Sequence, residues 1–380
     1  MVRGKNTFIT GALLKSIAIL TALTFIIVMS PISTNKKHTF LGSALSQNNE
    51  AGDEPHLLQL RLENMNLRYD NMPNQDTIEK TIKELNSTIP IDGEINYYNQ
   101  TKEVPWSTRR IGIMNDVLFN RPDIFTVNEG LHRQVTDLKE LLKMEFIGVG
   151  REDGKTKGEY QAIYYDPKKF KLLDYDTFWL SHDPFNPSKY RWAGSYRSCT
   201  VGHFMDIASG VGFVLINFHL DDQSDYARQL GAAMAKYRAA YEYETKQIPV
   251  FLVGDFNSES TGERSGAYLV ATGEKQFDVE ENLNEQFLKK YKHSLTNFEF
   301  VDFLHACPVQ NRMGNFATFT GFESSTKYYS RIDFQLGGHP HNGDELKWEV
   351  VRHKTGDNWY DNSYYLSDHR PVITDLIIRG

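Results

Sequence analysis

The chain has 380 residues, 40% of them hydrophobic and 13% aromatic, and a formal net charge of −7. That apolar content supports a sizeable core and excludes an intrinsically disordered chain, and the length admits one large domain or two ordinary ones. The negative charge leaves no basic footprint for broad nucleic-acid binding, although a bound cation can bring a polyanion to an acidic surface.

Residues 1–46 read as a targeting segment. Arg3 and Lys5 precede an apolar stretch from Ser16 to Ile32, broken by Pro31. Its length sits at the short edge of a bilayer span and fits either a signal peptide or an uncleaved signal anchor. Both imply the secretory pathway, with the protein secreted or held in a membrane by one N-terminal segment. This segment carries five basic residues and no acid, so the remainder is more acidic still. Residues 47–55 are small and polar, as in a linker.

From His56 onward, Leu58, Leu60 and Leu62 alternate as on a half-buried strand. Residues of about 72–105 are polar and read as a surface insertion. They hold two glycosylation acceptors, Asn86-Ser87-Thr88 and Asn99-Gln100-Thr101. A helix is expected over residues 109–119, with Ile111, Met114, Val117 and Leu118 as its apolar stripe. Next come a strand at 124–127, a helix at 131–142, and strands near 146–149, 162–165 and 178–180. A strand at 212–220 leads into a long helix marked by Ala227, Leu230, Met234, Tyr237 and Tyr241. The apolar run 248–253 suits a strand buried on both faces, and strands at 332–336 and 372–378 complete the set. This alternation indicates an α/β domain over residues 56–380, with too many strands for one small sheet. Cys199 and Cys307 could pair in an oxidising compartment, but spacing cannot place them together.

Chemistry gathers at strand ends. Gly254-Asp255-Phe256-Asn257 closes the strand at 248–253, with Asp255 and Asn257 two residues apart. A carboxylate there can orient an attacking water and an amide can hold a phosphate; the same residues also make an ordinary Asx turn. Ser367-Asp368-His369 precedes the last strand and offers a proton carrier beside a carboxylate, or simply a polar surface. Glu129 follows a strand and precedes a helix, so it is either a hard-cation ligand or a helix N-terminal charge. Asp333 lies between apolar neighbours; if buried it needs a histidine or a metal, and otherwise it points outward. His219, Glu159 and Asn66 are weaker signals of the same kind.

The order of Asn66, Glu129, His219, Asp255 with Asn257, Asp333, and Asp368 with His369 resembles the endonuclease/exonuclease/phosphatase family of DNase I-like metallohydrolases. The likeness runs over roughly residues 57–379. It includes Asn66-Leu67-Arg68-Tyr69-Asp70-Asn71, Trp106 with Arg109-Arg110, Val149-Gly150-Arg151-Glu152-Asp153-Gly154, Thr177-Phe178-Trp179-Leu180-Ser181 and Asn217-Phe218-His219. Within the family, the chain is similar to a branch with secretion signals and no settled substrate.

The resemblance implies a four-layer α/β sandwich, two packed mixed β-sheets flanked by helices, with a site where strand ends converge. It implies Mg²⁺ or Mn²⁺ bound at Glu129, with Asn66 and Asp368 close by. Asp255 would position or activate water, and Asn257 would hold the phosphate. His369 would act at the phosphoryl group, oriented by Asp333. His219 would be a second histidine partnered by Glu159, and Arg197 would face phosphate. One departure is Asn128, where the family usually has Gln before the metal-binding Glu.

These readings lead to a metal-dependent phosphoester hydrolase. The favoured substrate is a phosphodiester in a lipid headgroup, glycan or small metabolite. An extracellular endonuclease is the alternative, favoured by a basic, aromatic cleft rim and disfavoured by a narrow, neutral pocket. A non-catalytic binding protein on the same scaffold is a third reading.

Overall fold

The computed structural model describes residues 56–87 and 103–380, apart from 324, 342, 344 and 360–363. The expected N-terminal targeting segment, the linker and the second glycosylation acceptor lie outside these residues. Among the described residues, no helix is long and apolar enough to cross a membrane.

The strands in chain order are β1 (Leu57–Asn66), β2 (Ile124–Gly130), β3 (Glu145–Ile147), β4 (Tyr160–Tyr165), β5 (Phe170–Trp179), β6 (Ser198–Asp206) and β7 (Gly212–His219). They continue as β8 (Val250–Asp255), β9 (Glu299–Asp302), β10 (Arg312–Gly314), β11 (Asp333–His339), β12 (Trp348–Thr355) and β13 (Val372–Arg379). The main helices are α1 (Ile78–Leu85), α2 (Trp106–Asn120), α3 (His132–Leu142) and α4 (Asp225–Lys246).

One sheet has seven strands in the order β10-β12-β13-β1-β2-β4-β3, and the other six in the order β5-β6-β7-β8-β11-β9. Both are mixed: β1 and β2 run parallel in the first, β7 and β8 in the second, beside antiparallel neighbours.

Three apolar clusters define four layers. Leu58, Leu60, Leu62, Phe213, Leu215, Phe251 and Val253 meet between the sheets. Val214, Ile216, Leu252 and Phe334 pack outward on Leu230, Met234 and Ala239 of α4. Met65, Phe125 and Val127 pack outward on Ile113, Met114 and Val117 of α2, and on Val135 and Leu138 of α3. Strand alternation therefore sends each strand's two faces into different cores. Each large apolar side chain so buried contributes roughly 1.5–3 kcal/mol before entropy is counted.

One expectation needs correction. The apolar stripe of α2 is shifted: Leu118 is exposed and Ile111 only half-buried, while Ile113 and the guanidinium-bearing Arg109 and Arg110 are buried. Arg110 donates to Thr81 Oγ1 at 2.9 Å and to Asp137 Oδ2 at 2.8 Å, so it bonds α2 to both α1 and α3. Satisfied charge thus replaces apolar packing along part of that face. Within the segment read as a surface insertion, α1 is exposed or half-buried apart from Thr81. Cys199 and Cys307 are both free, buried in different cores.

The ends of β1, β2, β7 and β8 carry Asn66, Glu129, His219 and Asp255. The start of β11 adds Asp333, directly opposite Asp255 in the register. The segment before β13 adds Asp368 and His369.

Candidate active site

Glu129 sits where the pairing of β2 with β4 shifts register, between Val127 and Gly130. Its backbone is left-handed (φ 59°), a conformation that costs energy for a side chain bearing Cβ. This turn aims the carboxylate toward Asn66, whose Nδ2 donates to Glu129 Oε1 at 3.0 Å and to Asp255 Oδ2 at 3.0 Å. Asn66 Oδ1 accepts from the Arg68 backbone N–H at 2.9 Å. Asn66 therefore braces two carboxylates while its oxygen is occupied by the chain itself.

Asp255 is buried at the end of β8. Its backbone N–H donates to Asn128 Oδ1 at 3.2 Å, and Oδ1 accepts from the Asn257 N–H at 2.8 Å. Gly254 (φ 131°) permits the approach to β7, since a Cβ there would lie 2.0 Å from the Phe218 carbonyl oxygen. Asn128 also donates to Asn217 Oδ1 at 3.1 Å and the Phe218 carbonyl at 3.0 Å, tying the two sheets together below the site.

His369 Nδ1 donates to Asp333 Oδ2 at 2.8 Å, and its Nε2 stands 3.7 Å from Asp255 Oδ2. Both Asp333 and His369 are buried. Burial opposes charge on the imidazole, but Asp333, Asp255 and Asp368 outweigh it and hold the His369 pKa well above its ordinary value. Burial, with Asp333 close by, pushes Asp255 up to about 7. Burial also raises Asp368.

His219 lies 3.5 Å from Asp255 Oδ2 through Nε2, which accepts from Asn257 Nδ2 at 3.0 Å. Burial and the guanidinium groups of Arg197 and Arg151 hold its pKa well below the usual value, so it is neutral at physiological pH. The expected His219–Glu159 partnership is a 3.7 Å contact between Nδ1 and Oε2, longer than a hydrogen bond. Glu159 instead accepts from Arg151 Nη2 at 2.8 Å, and burial pushes it up to about 7. The amide nitrogen of Asn257 is occupied by His219 and, at 3.1 Å, by the Leu220 carbonyl. To meet a phosphate, Asn257 would exchange one of these contacts.

Glu129, Glu159, His219, Asp255, Asn257, Asp368 and His369 line one cleft of about 800 Å³, which Arg197 lines too, while Asn66 and Asp333 are buried behind it. Among the described residues, Glu129, Asp255 and His369 form the group able to hold a metal ion, their ligand atoms within 4.8 Å of one another. Asp368 lies in the cleft outside that trio. The carboxylate oxygens of Glu129 and Asp255 match a hard divalent cation. The residues present therefore fit Mg²⁺ or Mn²⁺.

Sequence reasoning gave no role to Arg151, Arg68 or Tyr69, which also line the cleft. The Tyr69 backbone N–H donates to Glu129 Oε2 at 3.2 Å, a contact that no side-chain pattern encodes. Arg151 had a visible signal, since it lies eight residues from Glu159 across a Gly-rich turn.

No family model matches the sequence, and no curated protein does. Solved structures do match. An endonuclease/exonuclease/phosphatase from Bacteroides vulgatus is 25% identical, covers 84% of this chain and 98% of its own, and superposes with a TM-score of 0.62. The chain is similar in fold and sequence to solved members of the endonuclease/exonuclease/phosphatase family. A second member, from Bacteroides thetaiotaomicron, is 26% identical, with 86% and 99% coverage and a TM-score of 0.61. A mannosyl-6-phosphatase from the same species is 27% identical, with 83% and 99% coverage and a TM-score of 0.61. These likenesses support a phosphoester hydrolase at the level of the superfamily.

Proposed function

We propose that this protein is a divalent-metal-dependent hydrolase that cleaves a phosphate ester on a small molecule by attack of water. The observation that carries this reading is the convergence of Glu129, Asp255 and the Asp333-paired His369 in one cleft. Glu129 would hold Mg²⁺ or Mn²⁺, with Asn66 fixing its carboxylate and that of the neighbouring Asp255. When bound, such an ion polarises a phosphoryl oxygen and lowers the pKa of water.

The chain's own groups supply the rest. Asp255, titrating near neutral pH, is matched to accept a proton from water. His369, kept cationic by its three carboxylate neighbours, donates through Nε2 to a phosphoryl or leaving oxygen. Neutral His219 and the amide of Asn257 contact the phosphate without adding repulsion.

The phosphodiester expectation remains one form of this substrate, and the phosphorylated mannose of the related phosphatase is another that a cleft of this size would take. The nuclease reading has one observation in its favour. Arg68, Arg264 and Lys327 line the cleft beside Tyr69, Tyr328 and Tyr329, which gives a basic, aromatic margin. Residues 1–46 make the secretory pathway the proposed location.

The test is hydrolysis of a panel of sugar phosphates, a phospholipid headgroup diester, an aryl phosphodiester and single-stranded DNA, with Mg²⁺, Mn²⁺ or EDTA. Metal-dependent turnover of a small ester supports the proposal. Turnover of DNA alone replaces it with the nuclease reading.

A further inference from the structure

We infer that the cleft wall made by Arg151 and Arg197 selects a phosphomonoester dianion over a phosphodiester; this deepens, and rests on, the phosphoester reading above. Both residues line the cleft and both are more than nine-tenths buried, at 7% and 6% exposure. They flank His219, which in turn stands 3.5 Å from Asp255. The wall is thus contiguous with the candidate metal site.

Their charge is only partly used by the protein. Arg197 meets Asp222 at 2.6 Å and Asp221 at 3.5 Å, but its Nη1 has no partner. Asp221 is committed to the loop around it, accepting from the Gly194 N–H at 2.9 Å, the Gln223 N–H at 3.0 Å and the Ser224 N–H at 2.8 Å. Asp222 is half-exposed, so water screens it. Arg151 pairs with Glu159, whose carboxyl burial pushes up to about 7, and leaves Nε without a partner.

Buried donors without acceptors are costly, and a planar guanidinium suits phosphate oxygens in a two-point contact. A monoester presents a second anionic oxygen to such a wall. A diester presents an ester oxygen bearing carbon there, which neither accepts as strongly nor fits against a buried surface. Lysine at either position would keep the charge but lose the fork.

Steady-state hydrolysis by the full chain, with saturating Mn²⁺, is measured on phenyl phosphate and on methyl phenyl phosphate. Binding of inorganic phosphate is measured by calorimetry. Wild type is expected to favour the monoester by about a hundredfold or more in kcat/KM. Arg197→Met is expected to lose about a hundredfold or more on the monoester and about tenfold on the diester, with Arg197→Lys in between. Phosphate affinity should fall in parallel. A diester preference, or equal losses on both substrates, overturns the inference and leaves the hydrolase reading standing. If neither substrate turns over, the wider panel above decides the hydrolase reading, and the binding arm decides the wall. Phosphate binding lost in Arg197→Met supports the inference, and its persistence refutes it.

Discussion

Asp333 accepts the Nδ1–H of His369 at 2.8 Å, and that bond joins the six-stranded sheet to the segment leading into the last strand of the other sheet. It fixes the ring so that Nε2 faces Asp255 and the cleft. A carboxylate behind a histidine sets both its orientation and its charge. The pair is thus the structural unit on which proton transfer at this site depends.

Asp333→Asn should cut kcat by about a hundredfold or more, within the range set by a positioned acid or base. Asp333 raises the His369 pKa, so its loss should also shift the basic limb of the pH–rate profile to lower pH. A pH profile of kcat for both proteins checks this. A fall in rate with an unmoved limb would leave Asp333 only a structural part.

Metal-free stability should depend on pH through Asp255 and Glu159. Their folded pKa values, each about 7, are raised above the ordinary 3.8 and 4.5. A raised value means that the stabilising contribution is complete below about pH 4 and is lost as pH rises through about 7. Bound cation offsets that loss, so the gain in Tm from Mn²⁺ should be larger near pH 8 than near pH 5.5. Thermal unfolding with Mn²⁺ or EDTA tests the sign, and Asp255→Asn should flatten the metal-free dependence.

Arg109 should tolerate no substitution, lysine included. It is buried, and it donates to the Val104 carbonyl at 3.1 Å, Leu67 at 2.5 Å, Leu366 at 3.0 Å and Arg68 at 3.0 Å. These bonds hold the chain after Asn66 and the chain before Asp368 in place around the cleft. Lysine has three donors and no fork. Arg109→Lys is expected to cost about 2 kcal/mol or more in urea unfolding, the scale of buried unsatisfied groups.

Asn128→Ala should destabilise by about 1–3 kcal/mol, because it leaves the Asp255 N–H, Asn217 Oδ1 and Phe218 carbonyl without their partner. Asp255 then loses a backbone anchor, so kcat should fall as well. Urea unfolding and kcat measured on the same preparation separate the two effects.

Most strands were legible because β1, β2, β7 and β8 bury apolar side chains continuously or in alternation. β6 escaped because Cys199, Gly202 and His203 break its pattern, and β9 and β10 are only four and three residues long. The Leu118 stripe failed for another reason. α2 buries two arginines whose satisfaction depends on Asp137, Thr81 and several carbonyls distant in sequence. At the site, residue types at strand ends pointed to Glu129, Asp255, Asp333 and His369. Their partners could not be read, since the left-handed backbone of Glu129, the Tyr69 N–H and the Glu159–Arg151 pairing exist only once the strands are side by side.

The most direct measurement is metal-dependent hydrolysis of a small phosphate ester by wild type, Asp255→Asn and His369→Ala, each checked for folding by thermal unfolding. The account predicts turnover by wild type that EDTA abolishes, and losses of about a hundredfold to ten-thousandfold in each variant. Undiminished turnover in either folded variant, or turnover that survives EDTA, would contradict it.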